Sequence, residues 1–201
     1  MTEFLNQPLP LAAEWLRHRF SQPVCFEPPV EDGIPAGPLR PAAVLVPIVM
    51  REEGLTMLLT QRTDHLHHHP GQVSFPGGRV EEGDASSVDT ALRETEEEIG
   101  LVRRHVELLG ALPPYRTGTG FEVIPVVGLV APPFELTLDA FEVAEAFEVP
   151  LSFLLDPGNH ERHSMEVRGR QREYYAMPYG GYFIWGATAG MIVSLQRFLS
   201  R

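Results

Sequence analysis

The order of apolar and polar positions predicts a chain that mixes helices and strands. Residues 9–19 carry a short helical pattern, and the proline-rich stretch 21–40 predicts an irregular connection. The apolar runs "AAVLVPIVM" and "LTMLLTQR" predict two strands, and the turn-like "REEG" between them has the length of a hairpin connection. An arm is therefore expected first, followed by a pair of strands.

The later part of the chain predicts further alternation. A helical period covers 87–99, and apolar segments predict strands near 105–113 and 122–131. Farther along, "VPLSFLL" predicts a short helical turn, and "QREYYAMPY" with "GYFIWG" predicts a hairpin before a carboxy-terminal helix. Because few helices must cover many strands, this order favours an α/β fold with a mixed sheet and helices on its faces. We expect one domain over residues 1–201, in which 1–40 is an amino-terminal arm with a short helix.

The charge balance narrows the possible partners. Lys and Arg total 16 against 27 Asp and Glu, a net charge of −11, so we expect no binding of nucleic acid through a broad basic surface. The apolar stretches are shorter than the ~20 residues that span a bilayer, so we expect no membrane segment. Cys25 is the only cysteine, which excludes an intramolecular disulfide and is compatible with the cytoplasm, the location that we expect.

The stretch "GGRVEEGDASSVDTALRETEEEIGL", residues 77–101, predicts a helix with crowded acids near its end. Its apolar positions fall on one arc of roughly 100°, which predicts a buried face. Relative to Glu94, Glu97 lies about −60° and Glu98 about +40° around the axis, whereas Glu96 points about 160° away. Like charges and the helix dipole both disfavour the three converging carboxylates. A divalent cation such as Mg²⁺ or Mn²⁺ would remove both penalties.

A solvated acidic helix face is the alternative interpretation, and it fits Glu96. For the other three acids, the preceding loop favours a binding site. Gly77 and Gly78 allow a close backbone approach, and a loop carbonyl can complete a metal site. Together these features predict a metal-assisted site for phosphate chemistry. The consecutive histidines 67–69 are assigned no metal, because three adjacent residues rarely converge on one ion.

The same stretch resembles the Nudix box, a pattern of glycine, glutamate and an Arg-Glu/Glu-Glu/Gly core at fixed spacings. The pattern positions are Gly78, Asp84, Arg93, Glu94, Glu97, Glu98, Gly100 and Leu101. Asp84 stands where the family has its first glutamate, and eight residues instead of seven separate it from Arg93. The resemblance implies a Nudix-type α/β/α sandwich with a mixed sheet, and a hydrolase that uses Mg²⁺ or Mn²⁺.

Upstream, "LLTQRTDHLHHHPGQVSFPGG", residues 58–78, resembles a second signature, that of the coenzyme A pyrophosphatases, a Nudix subgroup. Thr63 occupies a small-residue position of that signature, and His67 occupies the position of its second arginine. This resemblance implies that the substrate is coenzyme A or a derivative. The products would be 3′,5′-ADP and 4′-phosphopantetheine or its acylated form.

The resemblance also implies roles for single residues. The implied metal ligands are Glu94, Glu97, Glu98 and the carbonyl of Gly78. The implied catalytic group is Glu97, Arg93 and Glu142, in which Arg93 braces the site because a guanidinium stays protonated. The implied substrate contacts are Arg62, Thr63, His67 and Arg116. Glu142 or Glu145 would be the further acid that Nudix enzymes often supply from a loop.

Several alternatives stay open. Taken alone, Arg62, Arg116 and the acids near residue 142 are also compatible with an exposed surface. A Nudix pyrophosphatase for ADP-ribose or a dinucleoside polyphosphate would share the box without needing the upstream signature. A non-catalytic nucleotide-binding module would more often have an incomplete set of acids. The sequence leaves the oligomeric state open.

Overall fold

The computed structural model describes residues 12–23, 26–29, 34–66, 70–167 and 169–201, and of residue 170 only the backbone. These residues form four α-helices: α1 Ala13–Phe20, α2 Ser87–Ile99, α3 Leu151–Leu154 and α4 Gly186–Leu199. They also form eleven strands: β1 Arg40–Arg51, β2 Gly54–Arg62, β3 Val73–Ser74, β4 Gly77–Arg79, β5 Val106–Ala111, β6 Tyr115–Arg116, β7 Phe121–Val130, β8 Val143–Pro150, β9 Glu161–Val167, β10 Arg170–Tyr179 and β11 Tyr182–Trp185.

Eight strands form one mixed sheet. Its main path runs β3-β2-β1-β7-β5, while β4 pairs with β1, β6 with β7 and β8 with β2. β1 and β7 are parallel, and the other pairs in this sheet are antiparallel. The predicted hairpin of β1 and β2 is confirmed, with Arg51 opposite Gly54 at the turn. The predicted mixed sheet with helices on its faces is confirmed as well.

Both faces of β1 are buried, because helices cover the sheet on each side. Ala42 and Val46 belong to a core that includes α1, α3 and α4, whereas Ala43 and Leu45 belong to the core beneath α2. Successive side chains of a strand point to opposite faces, so an unbroken apolar run supplies both cores at once. Alternate residues of β1 therefore face either α2 or the opposite side of the sheet.

The limits of α2 follow from its end residues. The Ser86 hydroxyl accepts a hydrogen bond from the N–H of Asp89 at 3.2 Å, which caps the first turn. Gly100 ends the helix in the left-handed conformation, at φ 68°. Ala91 and Ile99 are fully buried on the side that faces the sheet. The helix predicted over 87–99 is therefore confirmed at both ends.

The amino-terminal helix lies against the main sheet. Arg17 of α1 donates to both oxygens of Glu107 on β5, at 2.7 Å each. The helix predicted over 9–19 is observed at Ala13–Phe20, and residues 9–11 of that span lie outside the described residues. No helix in the described residues is long and apolar enough to cross a membrane.

A second, smaller sheet contains β11, β10 and β9 in that order, all antiparallel. β10 and β11 confirm the predicted carboxy-terminal hairpin. The sequence does not predict β9, because "ERHSMEV" is mostly polar and mostly exposed at the edge of this sheet. It does not predict β8 either, since acids such as Glu145 and Glu148 obscure the strand pattern.

We expect the substitution Gly100→Ala to lower the free energy of unfolding by about 1–2 kcal/mol, because a Cβ is strained at positive φ. The new Cβ would also lie 2.9 Å from the backbone nitrogen of Thr137. Gly83→Ala is the matched control, with no atom within 4 Å of its Cβ, and should stay within about 0.5 kcal/mol of the wild type. Urea denaturation in the presence of a chelator measures both variants. Equal stability of the two would contradict this role of Gly100.

Candidate active site

The two glycines of β4 lie close to β1 and to Glu94 of α2, beside a cleft that these elements line together. The cleft is lined by apolar residues of β1 such as Ala42, which face away from α2, and also by Glu94 and Glu98. A side chain on Gly78 would overlap the carboxylate of Glu94, and one on Gly77 would overlap the backbone of β1. The absence of these side chains therefore allows β4 to pack closely against β1 and allows the carboxylate of Glu94 to lie against Gly78.

Glu98 is a buried carboxylate, with 6% of its surface exposed. Its Oε2 accepts a hydrogen bond from the N–H of Gly77 at 3.2 Å. Burial raises the pKa of Glu98 to about 8, against weaker opposition from the Gly77 N–H and the charge of Arg62. Burial also raises the pKa of Glu94, although hydrogen bonding from Arg93 opposes the shift. Burial therefore disfavours the charged form of both carboxylates.

Arg93 connects α2 to the loop that precedes it. Its Nε and Nη2 donate to the two oxygens of Asp84 at 2.9 Å each, and this pairing holds the pKa of Asp84 well below its usual range. Its Nη1 reaches Glu94 at 3.0 Å and Glu97 at 3.1 Å. Arg93 thus joins Asp84 to the acids of the helix. The pairing is present although position 84 is Asp and not the Glu of the Nudix box.

Two of the three acids expected to bind metal line the cleft, namely Glu94 and Glu98. The side chain of Glu97 is 61% exposed, bonds to Arg93 and is not part of the described lining. Glu96 pairs with an arginine beyond the helix at 2.7 Å, in keeping with its predicted outward direction. Among the described residues, no three His, Cys, Asp or Glu side chains are grouped closely enough to hold a metal ion.

Arg62 and Glu142 form another side of the cleft. Arg62 ends β2, and its Nη2 lies 4.0 Å from Oε2 of Glu142. Thr63, expected to contact substrate, is buried, and its hydroxyl donates to the carbonyl of Phe141 at 2.8 Å. The N–H of Thr63 donates to the carbonyl of Glu142 at 3.0 Å. These bonds indicate that Thr63 positions the turn before β8 and does not present its hydroxyl to the cleft.

Other expected site residues lie elsewhere. Glu145 is not in a loop, since it lies on β8 and accepts a hydrogen bond from the hydroxyl of Tyr182 at 2.8 Å. The side chain of Arg116 is 60% exposed, pairs with Glu122 at 3.0 Å and is not part of the described lining. His67 lies outside the described residues.

Among the charged and aromatic lining residues, sequence reasoning missed three: Arg79, Glu81 and Phe121. Arg79 directly follows the glycine pair, but only the pairing of β4 with β1 shows that it lies beside Ala42. Phe121 begins β7 opposite Arg40 of β1, a contact between distant parts of the chain. The position of Phe121 directly after the turn-rich "YRTGTG" was the one available signal. The whole cleft has a volume of about 510 Å³, in the range of small-molecule sites.

The burial of Glu98 predicts how the stability of the metal-free protein depends on pH. The pKa of this carboxyl is higher in the folded protein than in the unfolded chain. The group therefore leaves the free energy of unfolding unchanged below its ordinary pKa of 4.5, and it lowers that free energy by the full amount above about 8. In chelator at about pH 8.5, we expect Glu98→Gln to be more stable than the wild type, by a few kcal/mol at most. The difference should shrink toward about pH 5. Urea denaturation measures the free energy of unfolding of both proteins across this pH range. If the two values change with pH in parallel, the folded protein does not raise the pKa of Glu98.

Comparison with known proteins assigns the chain to a family. Residues 39–164 match the NUDIX domain. The uncharacterized Nudix hydrolase NudL of Enterobacter sp. (strain 638) is 44% identical over 156 residues, which cover 78% of this chain and 81% of the relative. NudL of Escherichia coli (strain K12) has the same identity and coverage. The solved structure of the Nudix hydrolase RenU of M. smegmatis has a TM-score of 0.56 at 17% identity, over 80% of this chain and 86% of that one. The predicted Nudix fold is thereby confirmed, and the chain belongs to the Nudix hydrolase family.

Proposed function

We propose that this Nudix hydrolase is a metal-dependent pyrophosphohydrolase that cleaves coenzyme A or a derivative to 3′,5′-ADP and 4′-phosphopantetheine or its acylated form. The observation that carries the proposal is that Arg62, from the upstream signature, lines the same cleft as Glu94 and Glu98, from the Nudix box. A signature residue in that position can contribute to the choice of substrate. We also propose a cytoplasmic location, which the single cysteine supports.

The donor atoms of the cleft fit a hard divalent cation. Glu94 and Glu98 supply carboxylate oxygens whose burial disfavours their charge, and a cation beside them would offset that cost. We propose that both, with the carbonyl of Gly78, bind Mg²⁺ or Mn²⁺. Glu97 would join them by leaving Arg93. Exposed ion pairs of that kind are typically worth about 1 kcal/mol or less, so this exchange is accessible.

Residues of the chain itself would arrange the reaction. A bound Mg²⁺ or Mn²⁺ would polarise the phosphate oxygens and lower the pKa of a water molecule bound to it. Arg62 would hold an oxygen of the diphosphate, for which its planar guanidinium is suited. Glu142 lines the cleft and is 43% exposed, so it would accept the proton of the attacking water, with Glu97 as the alternative acceptor. Arg93 would keep Glu94 in place without touching the reacting atoms.

A Nudix pyrophosphatase with another substrate is the second candidate. The NUDIX domain of Shewanella oneidensis NrtR was solved in complex with ADP ribose, and it has a TM-score of 0.50 at 20% identity over 80% of this chain and 87% of that one. That likeness supports the fold alone. ADP-ribose or a dinucleoside polyphosphate nevertheless presents the same diphosphate to the acids of the cleft. A non-catalytic nucleotide-binding module is the third candidate, and the complete triad of Glu94, Glu97 and Glu98 argues against it.

Mass analysis of reaction products separates these candidates. The protein is incubated with coenzyme A, ADP-ribose and diadenosine polyphosphates in parallel, each with Mg²⁺, with Mn²⁺ and with chelator. We expect metal-dependent release of 3′,5′-ADP from coenzyme A. Glu98→Gln should lower turnover about 100-fold or more, whereas Glu96→Gln, which pairs away from the cleft, should retain it. Cleavage of the other substrates alone would replace coenzyme A in the proposal, and cleavage of none would favour the binding module.

The substitution Gly78→Ala tests the proposed metal ligands from the side of the backbone. Its methyl group would displace the carboxylate of Glu94, while φ at this position is not in the left-handed region. We therefore expect Mn²⁺ affinity to fall about tenfold or more, with a small change in stability in chelator. Gly83→Ala is the control, because its Cβ meets no atom within 4 Å. Electron paramagnetic resonance of free Mn²⁺ measures the affinity, and equal affinity of both variants would remove Glu94 from the metal site.

A further inference from the structure

One wall of the cleft is not used by the proposed chemistry. The acids of α2 and Glu142 line the part that we assign to metal and water, whereas Arg79 and Phe121 line a different part. Glu81 also lines the cleft, but in the described structure its carboxylate forms no ion pair with Arg79. The cleft therefore carries a second guanidinium, that of Arg79, besides that of Arg62, which lies near Glu142.

Strand pairing arranges the residues of this wall in a row. In order away from the carboxylates, the paired positions are Val44 with Gly77, Ala42 with Arg79, and Arg40 with Phe121. The row begins beside Glu98, because the N–H of Gly77 donates to that carboxylate. At about 3.3 Å per residue, it extends roughly 13 Å along β1. That length is enough for a nucleoside to lie along the wall when its diphosphate is held beside the acids.

Two guanidinium groups lie near the ring of Phe121, one in close contact and one farther away. The central carbon of Arg40 is 3.9 Å from the ring centre, and that of Arg79 is 5.5 Å from it. Arg40 also donates to the carbonyl of Thr119 at 2.9 Å, so it is fixed behind the ring. Phe121 and Arg79 line the cleft, whereas Arg40 is not part of the described lining. The wall thus offers an aromatic surface next to a cation.

The charge of Arg79 is available to a ligand. Neither Arg79 nor Arg40 forms an ion pair within the described part of the chain, in contrast to Arg17, Arg51 and Arg103. In a protein of net charge −11, a cation at a cleft without an acidic partner keeps its attraction for an anion. A guanidinium can donate two parallel hydrogen bonds to one phosphate group.

We propose that Arg79 and Phe121 form the subsite for the phosphorylated nucleoside of the substrate, with Arg40 as a positioning residue behind the ring. Phe121 packs against the base, and Arg79 binds the phosphate monoester on the ribose, which in coenzyme A is the 3′-phosphate. The inference rests on the proposed function, because it needs the diphosphate at the carboxylates. Part of the substrate specificity would then depend on Arg79, which is not a pattern position of the Nudix box or of the upstream signature.

Steady-state kinetics with coenzyme A and with 3′-dephospho-coenzyme A test the subsite. We expect Arg79→Ala to lower kcat/KM for coenzyme A about 10- to 100-fold, and for the dephospho compound by less than about threefold. The substitution keeps the carbonyl of Arg79, which accepts a hydrogen bond from Arg93 at 3.2 Å. Arg104→Ala is the charge-matched control, an exposed arginine outside the described lining, and should change neither value. Phe121→Leu should lower both values by a similar factor.

Equal losses with both substrates in Arg79→Ala, or no loss, would overturn the subsite while leaving the proposed function in place. If the wild type cleaves neither compound, the proposed function fails, and equilibrium binding of 3′,5′-ADP and 5′-AMP in chelator then tests the subsite by itself. Tighter binding of 3′,5′-ADP by the wild type, with the preference lost in Arg79→Ala, would support it. A wild type without that preference would overturn it.

Discussion

No side chain fits where Gly77 and Gly78 pass between β1 and α2, and the site depends on this close approach. α2 packs through residues such as Ala91 on one face of the sheet, while the cleft lies on the other face. A side chain at position 78 would displace the carboxylate of Glu94, and the N–H of Gly77 donates to Glu98. The position of both acids at the cleft therefore depends on the close packing of this backbone.

The crowded acids of α2 are only partly compensated within the protein. Arg93 pairs with Asp84, Glu94 and Glu97 in one network, so a single positive charge reduces the repulsion among three carboxylates without cancelling it. Glu98 is left buried with one backbone N–H and a distant arginine, and its raised pKa expresses that imbalance. A cation at the acids, as proposed, together with the guanidinium of Arg79 farther along β1, would give an acidic protein the means to hold a polyanionic substrate.

Local sequence patterns were sufficient to predict α2 and the hairpin of β1 and β2. End residues such as Ser86 and Gly100, and the period of the apolar positions, are features of short stretches of sequence. Helical spacing allowed Arg93 to pair with Glu97 one turn later, but it did not decide whether the Glu97 carboxylate takes that partner or turns to the cleft. Arg79 and Phe121 meet only through the register of β4, β1 and β7, which no local pattern encodes. The edge strand β9 lacked an apolar face, so its sequence carried no strand signal.

The metal site that we propose lies where α2 meets β4 in the cleft. Anomalous diffraction from crystals grown with Mn²⁺ locates the ion without reference to activity. We expect a peak about 2.1 Å from carboxylate oxygens of Glu94 and Glu98 and from the carbonyl of Gly78. A peak on a different set of residues, or Mn²⁺ bound in solution with no peak in this cleft, would contradict it.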